Sequence, residues 1–338
     1  MKYAMVFGGN SYEHEISIVS AVTVAKLLDD VIFIYVSFDN EFYLIDKNNM
    51  NANYFAKGGF KNLKPLVLKQ GGFYLKKLLG EEKVEFDIAI NIVHGKDGED
   101  GKLASMFDFY NIKYIGPRTA ACVLSFDKHL TKLYANEVGV KTIAYKLLES
   151  KNDEVELPVI LKPARLGSSI GINIVKNKED FAYAYDSSYE FDDKILAEPF
   201  IENIQEVNLA GFFDGEKIVF SKIEEPKKNG HLDFDQKYLS FKQEKIEEVK
   251  LNDELVNKLK DAFTRLYLPL FKGALIRCDF FIKDNEIYLN EINPNPGSYA
   301  NYLFDDFKSS LEKLAKSIES DFKIKENFTF LNKIVRAK

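Results

Sequence analysis

Residues 277–293 read RCDFFIKDNEIYLNEIN, two apolar runs either side of the turn-forming pair Asp284-Asn285. Residues two apart on a strand share a face. Arg277 and Asp279 therefore lie together on the first run, and Glu291 and Asn293 on the second. A free guanidinium, two carboxylates and an amide are costly in a plain core. Two carboxylates and a carboxamide oxygen are hard donors that suit Mg²⁺ carrying phosphates, and arginine offers a planar fork for phosphate or an oxyanion. A hairpin with a salt-bridged polar face is the other reading, and the hairpin alone does not choose. Register adds a condition. A two-residue Asp284-Asn285 turn in a regular ladder would pair Asp279 with Asn290 and send Glu291 to the far face. A shared metal site needs Asp279 opposite Glu291 and Arg277 opposite Asn293. It therefore requires a three-residue loop, Asp284-Asn285-Glu286, or a bulge that absorbs one residue.

The order of elements around this hairpin points to an α/β protein. KYAMVFG (2–8), VIFIYVSF (31–38) and FDIAINIVHG (86–95) read as strands, with a helix over 15–28, so the first third is a doubly wound parallel layer. A helix at 102–111, a strand KYIG (113–116) and a helix over 125–139 follow. Strands PVILKPA and GINIVK enclose a glycine-serine loop, then come a helix at 179–189 and strands KILAEPFI and EVNLAGFF. Residues 224–244 form a polar stretch without period, expected to be a functional loop. An amphipathic helix over 251–270 precedes the hairpin, and a helix near 305–318 closes the chain.

At 338 residues the chain is long enough for two or three domains. Its net charge of −6, with lysines scattered among acids, gives no nucleic-acid surface. Of the two cysteines, Cys122 and Cys278, the second alternates with the polar face and reads as a small buried hydrophobe. The N-terminus lacks the apolar stretch of a signal peptide and no run approaches a membrane span, so a cytoplasmic protein is expected.

Five further segments carry candidate chemistry. GGNSYEHEIS (8–17) is a glycine turn after the first strand, where α/β sheets face ligands. Glu15 lies near the next helix start, either favoured there by the helix dipole or binding a substrate ammonium. VHGKDGEDG (93–101) offers three glycines and His94 at a strand end, with Glu99 and Asp100 as ordinary caps. LKPARLGSSIGI (161–172) lacks Walker spacing, but Lys162 beside a nest of donors favours a nucleotide phosphate. Glu198 and Glu206 flank a crossover and are either exposed loop acids or readers of adenine and ribose. Lys237 and Tyr238 in DQKYLS are either solvated or part of a lid closing on phosphate.

Together these segments resemble the D-alanine–D-alanine ligases, an ATP-grasp family. The resemblance runs from GGNSYEHEIS through HGKDGEDG, SFDKHLTK, PVILKPARLGSSIG and DQKYLS to RCDFF and NEINPNPGS. It implies a three-domain ATP-grasp architecture: a Rossmann-like substrate domain (1–116), a central ATP-grasp domain (117–205) and a C-terminal ATP-grasp domain with lid and metal site (206–338). ATP would lie between two antiparallel sheets. It implies that ATP phosphorylates one D-alanine, that the amine of a second attacks the acylphosphate, and that the dipeptide serves peptidoglycan synthesis.

The implied roles follow. Asp279, Glu291 and Asn293 hold two Mg²⁺, for which Mn²⁺ can substitute, with a monovalent cation as a further cofactor. Arg277 and the Gly297 N–H stabilise the tetrahedral oxyanion. Lys128, Lys162, Lys237 and Ser169 contact the nucleotide phosphates, and Glu198, the Ile201 backbone and Glu206 hold adenosine. Glu15 binds the first ammonium, linked through Ser168 to Tyr238. His94 sits near the first carboxylate, and Ser298 and Tyr302 lie at the second substrate. Partners are two D-alanine molecules and a second copy of the chain, with no nucleic acid or membrane. The chain departs from the family pattern at Leu166, where many members have an acid, and at Tyr302, where a serine often binds the second carboxylate. A ligase using D-lactate or D-serine as acceptor is the nearest alternative, and Tyr238 argues against the ester. A non-catalytic nucleotide binder would not need Arg277. A dehydrogenase would need a fuller glycine fingerprint than GGN.

Overall fold

The structure, a computed structural model, describes residues 1–226, 248–319 and 327–336. The first unit is a five-stranded sheet. Its strands are β1 (Tyr3–Gly8), β2 (Val31–Val36), β3 (Phe42–Ile45), β7 (Ile88–Asn91) and β8 (Tyr114–Ile115), with α1 (His14–Ala25) after β1. They lie in the order β3-β2-β1-β7-β8. β1 pairs in parallel with both β2 and β7 and is buried along its whole length. The chain leaves β1 on one side and returns on the other, which opens a crevice at its C-terminal end. Gly8 sits there at φ 104°, and a Cβ on it would lie 2.2 Å from the Val36 carbonyl oxygen. Only glycine lets the chain turn at that point. Residues 39–85, to which sequence periodicity assigned nothing, supply β3, a short α2 (Ala52–Ala56) and a small antiparallel sheet of β4 (Val67–Lys69), β5 (Gly72–Lys76) and β6 (Glu81–Lys83).

After α3 (Lys102–Phe109) the single helix expected over 125–139 is two, α4 (Thr119–Phe126) and α5 (Lys128–Glu137). Asp127 breaks them. Its carboxylate accepts from the His129 and Leu130 N–H groups and caps α5. Ala121, Ala135 and Val140 share a core with Val207, Leu209, Phe263 and Leu289. This stretch thus packs on the last sheet, although the expected domain limits grouped it with the central one. The central sheet is antiparallel, built from β9 (Lys146–Leu148), β10 (Val159–Pro163), β11 (Asn173–Val175) and β12 (Ile195–Pro199) in the order β11-β10-β12-β9. α6 (Phe181–Tyr189) covers one face.

The last sheet holds β13 (Gln205–Phe213), β14 (Ile218–Glu224), β15 (Ile276–Lys283) and β16 (Glu286–Asn293) in the order β14-β13-β15-β16, all antiparallel. The helix Asp253–Tyr267 buries Leu255, Leu259, Ala262, Phe263 and Leu266 against it. The helix Phe307–Ser317 joins the core of the first unit. No helix among the described residues is long and apolar enough to cross a membrane. The expected lid at 225–245, with Lys237 and Tyr238, lies almost wholly outside the described residues.

The β15–β16 hairpin resolves the register condition. Asp284 and Asn285 form a two-residue turn at φ 52° and 59°, closed by the pair Lys283 and Glu286. Two positive φ values are those of a type I′ turn. The loop is therefore the tight one, and a bulge restores parity. Phe280 pairs with Leu289, whereas Asp279 pairs with Glu291, so Asn290 is the inserted residue. Arg277 then faces Asn293, as a shared site requires. Asn285→Val should lower stability by about 1–2 kcal/mol, the cost of a β-branched residue in left-handed backbone. Urea denaturation with an unchanged m-value checks this.

Candidate active site

The bulge places four polar side chains on one face. Arg277 donates through Nε to Asp279 Oδ1 at 2.7 Å and through Nη2 to Oδ2 at 2.9 Å. Asn293 Nδ2 donates to Asp279 Oδ2 at 3.0 Å, and Arg277 Nη1 donates to the Tyr302 hydroxyl at 3.3 Å. Burial works against the Arg277 charge, but Asp279, with Tyr302 and Glu224 adding to it, holds the guanidinium well above its usual range. Burial pushes the Asp279 carboxyl up, Arg277 opposes this, and Glu291 adds repulsion. The polar row continues across the sheet, because Asn208 pairs with Asp279 and Glu224 pairs with Asn208. Cys278 alternates with this row and is buried in the opposite core.

Among the described residues, no three His, Cys, Asp or Glu side chains gather as a metal cluster. A cation held on this face would have to be completed by an amide, and Asn293, beside Asp279, offers one. Two carboxylates directly opposed on antiparallel strands repel. A divalent cation with oxygen preference relieves that repulsion, so the donor set fits Mg²⁺.

Beyond the hairpin, residues 297–303 form a tight turn in which Ser298, Tyr299 and Ala300 take φ of 49°, 54° and 47°. Three successive left-handed residues without glycine are strained and need outside support. Tyr299 N–H donates to Pro296 O at 2.7 Å and Asn301 Nδ2 to Ser298 O at 2.6 Å. Ser298 N–H donates to Ser20 Oγ of α1 at 2.9 Å, and the same hydroxyl meets His94 Nε2 at 2.9 Å. His94 and Ser298 thus belong to one network, joined by a serine that no motif singled out. His94 Nδ1 faces Glu99 Oε1 at 3.8 Å, and Glu99 Oε2 accepts from Gly95 N–H at 2.9 Å. Glu99 is therefore more than a helix cap.

The expectation for Glu15 is corrected. Glu15 is exposed, whereas Glu13 is 7% exposed and accepts from Ser168 Oγ at 2.5 Å. Two residues at the start of a helix are turned by about 200°, so both cannot face the crevice. Glu13 lies in helical register with Ser17, Ser20 and Val24, all buried. That register was the available signal. Gly95 and Gly167 make room for Glu13, since a Cβ on either would come within 2.8 Å of its carboxylate oxygens. Burial pushes the Glu13 carboxyl up and Glu99 adds to it, while Ser168, His94 and Lys128 pull the other way.

The glycine-serine loop between β10 and β11 holds Ser168 and Ser169 at φ 57° and 60°. Lys128, first residue of α5, donates through Nζ to the Leu166 carbonyl of this loop. On the sheet beneath, Lys162 Nζ donates to Glu198 Oε2 at 2.9 Å and to Asn290 Oδ1 at 3.2 Å. The bulged residue of the last sheet thus meets the central sheet across the cleft. Lys132 is paired with the other oxygen, Glu198 Oε1, at 3.1 Å. Burial alone would raise the Glu198 carboxyl, but Lys162 and Lys132 hold it below the usual range. Ile201 and Glu206 flank the turn that carries the chain from β12 to β13.

An arginine-paired acid on the last sheet and a lysine-framed acid on the central sheet thus lie on either side of the Lys162–Asn290 contact, and a buried acid of the first unit meets a hydroxyl of the glycine-serine loop. Comparison with known proteins agrees. A family model described as D-ala D-ala ligase N-terminus matches residues 2–117, and one described as D-ala D-ala ligase C-terminus matches residues 128–308. The D-alanine--D-alanine ligase of Campylobacter lari is 58% identical, over 99% of this chain and 98% of its own. The crystal structure of D-Alanine-D-Alanine Ligase from Helicobacter pylori has a TM-score of 0.86 and 46% identity, covering 95% of this chain and 100% of its own. VanG D-Ala:D-Ser Ligase from Enterococcus faecalis has a TM-score of 0.75 and 25% identity, covering 94% of this chain and 98% of its own. With both halves matched in order and more than half of the residues identical to a near full-length relative, the chain belongs to the D-alanine–D-alanine ligase family.

Proposed function

We propose that the chain joins two D-alanine molecules at the expense of ATP. The γ-phosphoryl group passes to the carboxylate of the first, giving an acylphosphate and ADP. The amine of the second attacks the acyl carbon, phosphate leaves with the bonding pair and takes the proton that the nitrogen loses, and D-alanyl-D-alanine results. The observation that carries this reading is the bulge at Asn290, which brings Arg277, Asp279, Glu291 and Asn293 to one face. The 58% identity to a dipeptide ligase, against 25% to the D-Ala:D-Ser enzyme, favours D-alanine as acceptor.

In this reading Glu13, in place of Glu15, takes the ammonium of the first D-alanine, with Ser168 fixing the carboxylate. Lys237 and Tyr238, outside the described residues, keep the roles that the family resemblance implies, phosphate contact and partner of Ser168. His94 orients the first carboxylate. Arg277 and the Gly297 N–H receive the charge that develops on the carbonyl oxygen during attack. Ser298 and Tyr302 meet the second carboxylate. Lys128, Lys162 and Ser169 contact the phosphates. Glu198 accepts from the adenine amino group, the Ile201 backbone binds the ring edge, and Glu206 takes the ribose hydroxyls. Asp279, Glu291 and Asn293 would hold two Mg²⁺, which when bound neutralise phosphate oxygens. Three units, with residues 119–140 carried by the last, working as a cytoplasmic homodimer complete the reading.

Phosphate release tests it. D-alanine with ATP should release phosphate, EDTA should stop it and Mg²⁺ should restore it. L-alanine, D-serine or D-lactate offered alone should give none. Equal release with L-alanine would overturn the substrate assignment.

A further inference from the structure

Lys132 is 1% exposed, on α5 one turn beyond Lys128. A fully enclosed ammonium is costly unless several groups compensate it. Its Nζ lies 3.1 Å from Glu198 Oε1, donates to the Ile143 carbonyl at 3.3 Å, and sits 5.3 Å from the centre of the Tyr145 ring. Tyr145 is itself fixed by a 2.7 Å bond between its hydroxyl and His129 Nδ1. Burial pushes the Lys132 ammonium down, and Glu198 is the strongest influence keeping it charged.

Each oxygen of Glu198 therefore has its own lysine, and the two lysines differ. Lys162 also reaches across the cleft to Asn290, so its ammonium stands where a nucleotide phosphate would draw it. Lys132 is enclosed between α5 and the β9–β12 sheet, with its ammonium committed to Glu198 and the Ile143 carbonyl. When Lys162 turns toward phosphate, Lys132 is the cation left on Glu198.

We propose that Lys132 is a positioning residue for nucleobase choice, holding Glu198 as an ionised, acceptor-only group aimed at the base. The proposal rests on the reading of Glu198 as the adenine acceptor. A carboxylate with no proton to give pairs with the exocyclic amine of adenine. It faces the carbonyl of guanine acceptor to acceptor. A buried polar group left unpaired by the wrong ligand is a strong discriminator. Loosening or neutralising Glu198 should therefore erode the preference for ATP over GTP.

The test compares Lys132→Met, Glu198→Gln and the double variant, measuring kcat and KM with ATP, GTP and D-alanine. Lys132→Met should raise the KM for ATP at least tenfold and lower the ATP:GTP ratio of kcat/KM at least tenfold. The kcat at saturating ATP and the KM for D-alanine should stay within twofold. The double variant should be no worse than Glu198→Gln alone, because both changes act through one carboxylate. Lys132→Arg, which keeps the charge, should recover most of the preference. A folded Lys132→Met with unchanged ATP:GTP ratio would overturn the proposal while leaving the Glu198 reading intact. An unchanged ratio in Glu198→Gln would overturn the Glu198 reading itself, and the Lys132 proposal with it. Lys132→Met leaves Glu198 paired with Lys162; should it nonetheless fail to fold, Lys132→Gln, which is uncharged but keeps a donor for the Ile143 carbonyl, carries the same comparison. Failure of both to fold would show that the core itself needs the Lys132 ammonium, and would likewise overturn the proposal.

Discussion

Arg277→Ala is expected to lower kcat by about two to three orders of magnitude, the usual loss when one oxyanion donor is removed, with the KM for ATP changed only a few-fold. In the proposed reading the arginine meets charge that exists only while the amine attacks, so its absence would be felt in the transition state more than in binding. The geometry adds a second effect. Arg277 supplies two of the bonds to the buried Asp279, and removing one partner of a buried pair costs about 3–5 kcal/mol of stability. The variant should therefore melt earlier, and kinetics must be taken well below its transition. Arg277→Lys should recover part of the stability and little of the turnover, since an ammonium cannot reproduce the planar fork held at Asp279. A folded Arg277→Ala with normal turnover and weakened ATP affinity would make the arginine a phosphate clamp and nothing more.

Glu13→Ala should reduce kcat/KM for D-alanine by about a hundredfold or more, in line with the 2–5 kcal/mol at stake when one member of a buried charge pair is truncated. Glu15→Ala should stay within twofold of the parent, because that side chain faces solvent. A reversed pattern would return the ammonium site to Glu15. The acid limb of the pH profile gives an independent check. Ammonium binding needs Glu13 ionised, and its carboxyl is raised by burial and by Glu99. The limb of kcat/KM should accordingly lie above the ordinary carboxylate value of 4.5. Glu99→Gln removes a like charge, makes ionisation easier, and should move the limb to lower pH. A limb that ignores Glu99→Gln would show that another group controls it.

Several features of the protein are written locally in its sequence. Side-chain alternation depends only on the pleat, so spacing alone puts Arg277 on a face with Asp279, and Glu291 on a face with Asn293. The same alternation buries Cys278. Strands β1, β2 and β7, the helices after β1 and β7, and the ordered motifs that carry the family likeness are local as well. What remained was set by contacts between distant segments. The turn Asp284-Asn285 follows local preference, yet the two strands share a site only because Asn290 bulges, and Asn290 meets Lys162 from another sheet. Glu13 rather than Glu15 meets Ser168 because α1 is held in place by its contacts with distant segments, Ser20 accepting from the Ser298 N–H among them. Lys132 looks like any helix-surface lysine until α5 is laid against the central sheet and encloses it with Glu198. In each case the local pattern limits a side chain to a few directions, and only packing between sheets and helices selects among them, because burial and charge pairing are properties of the assembled interior.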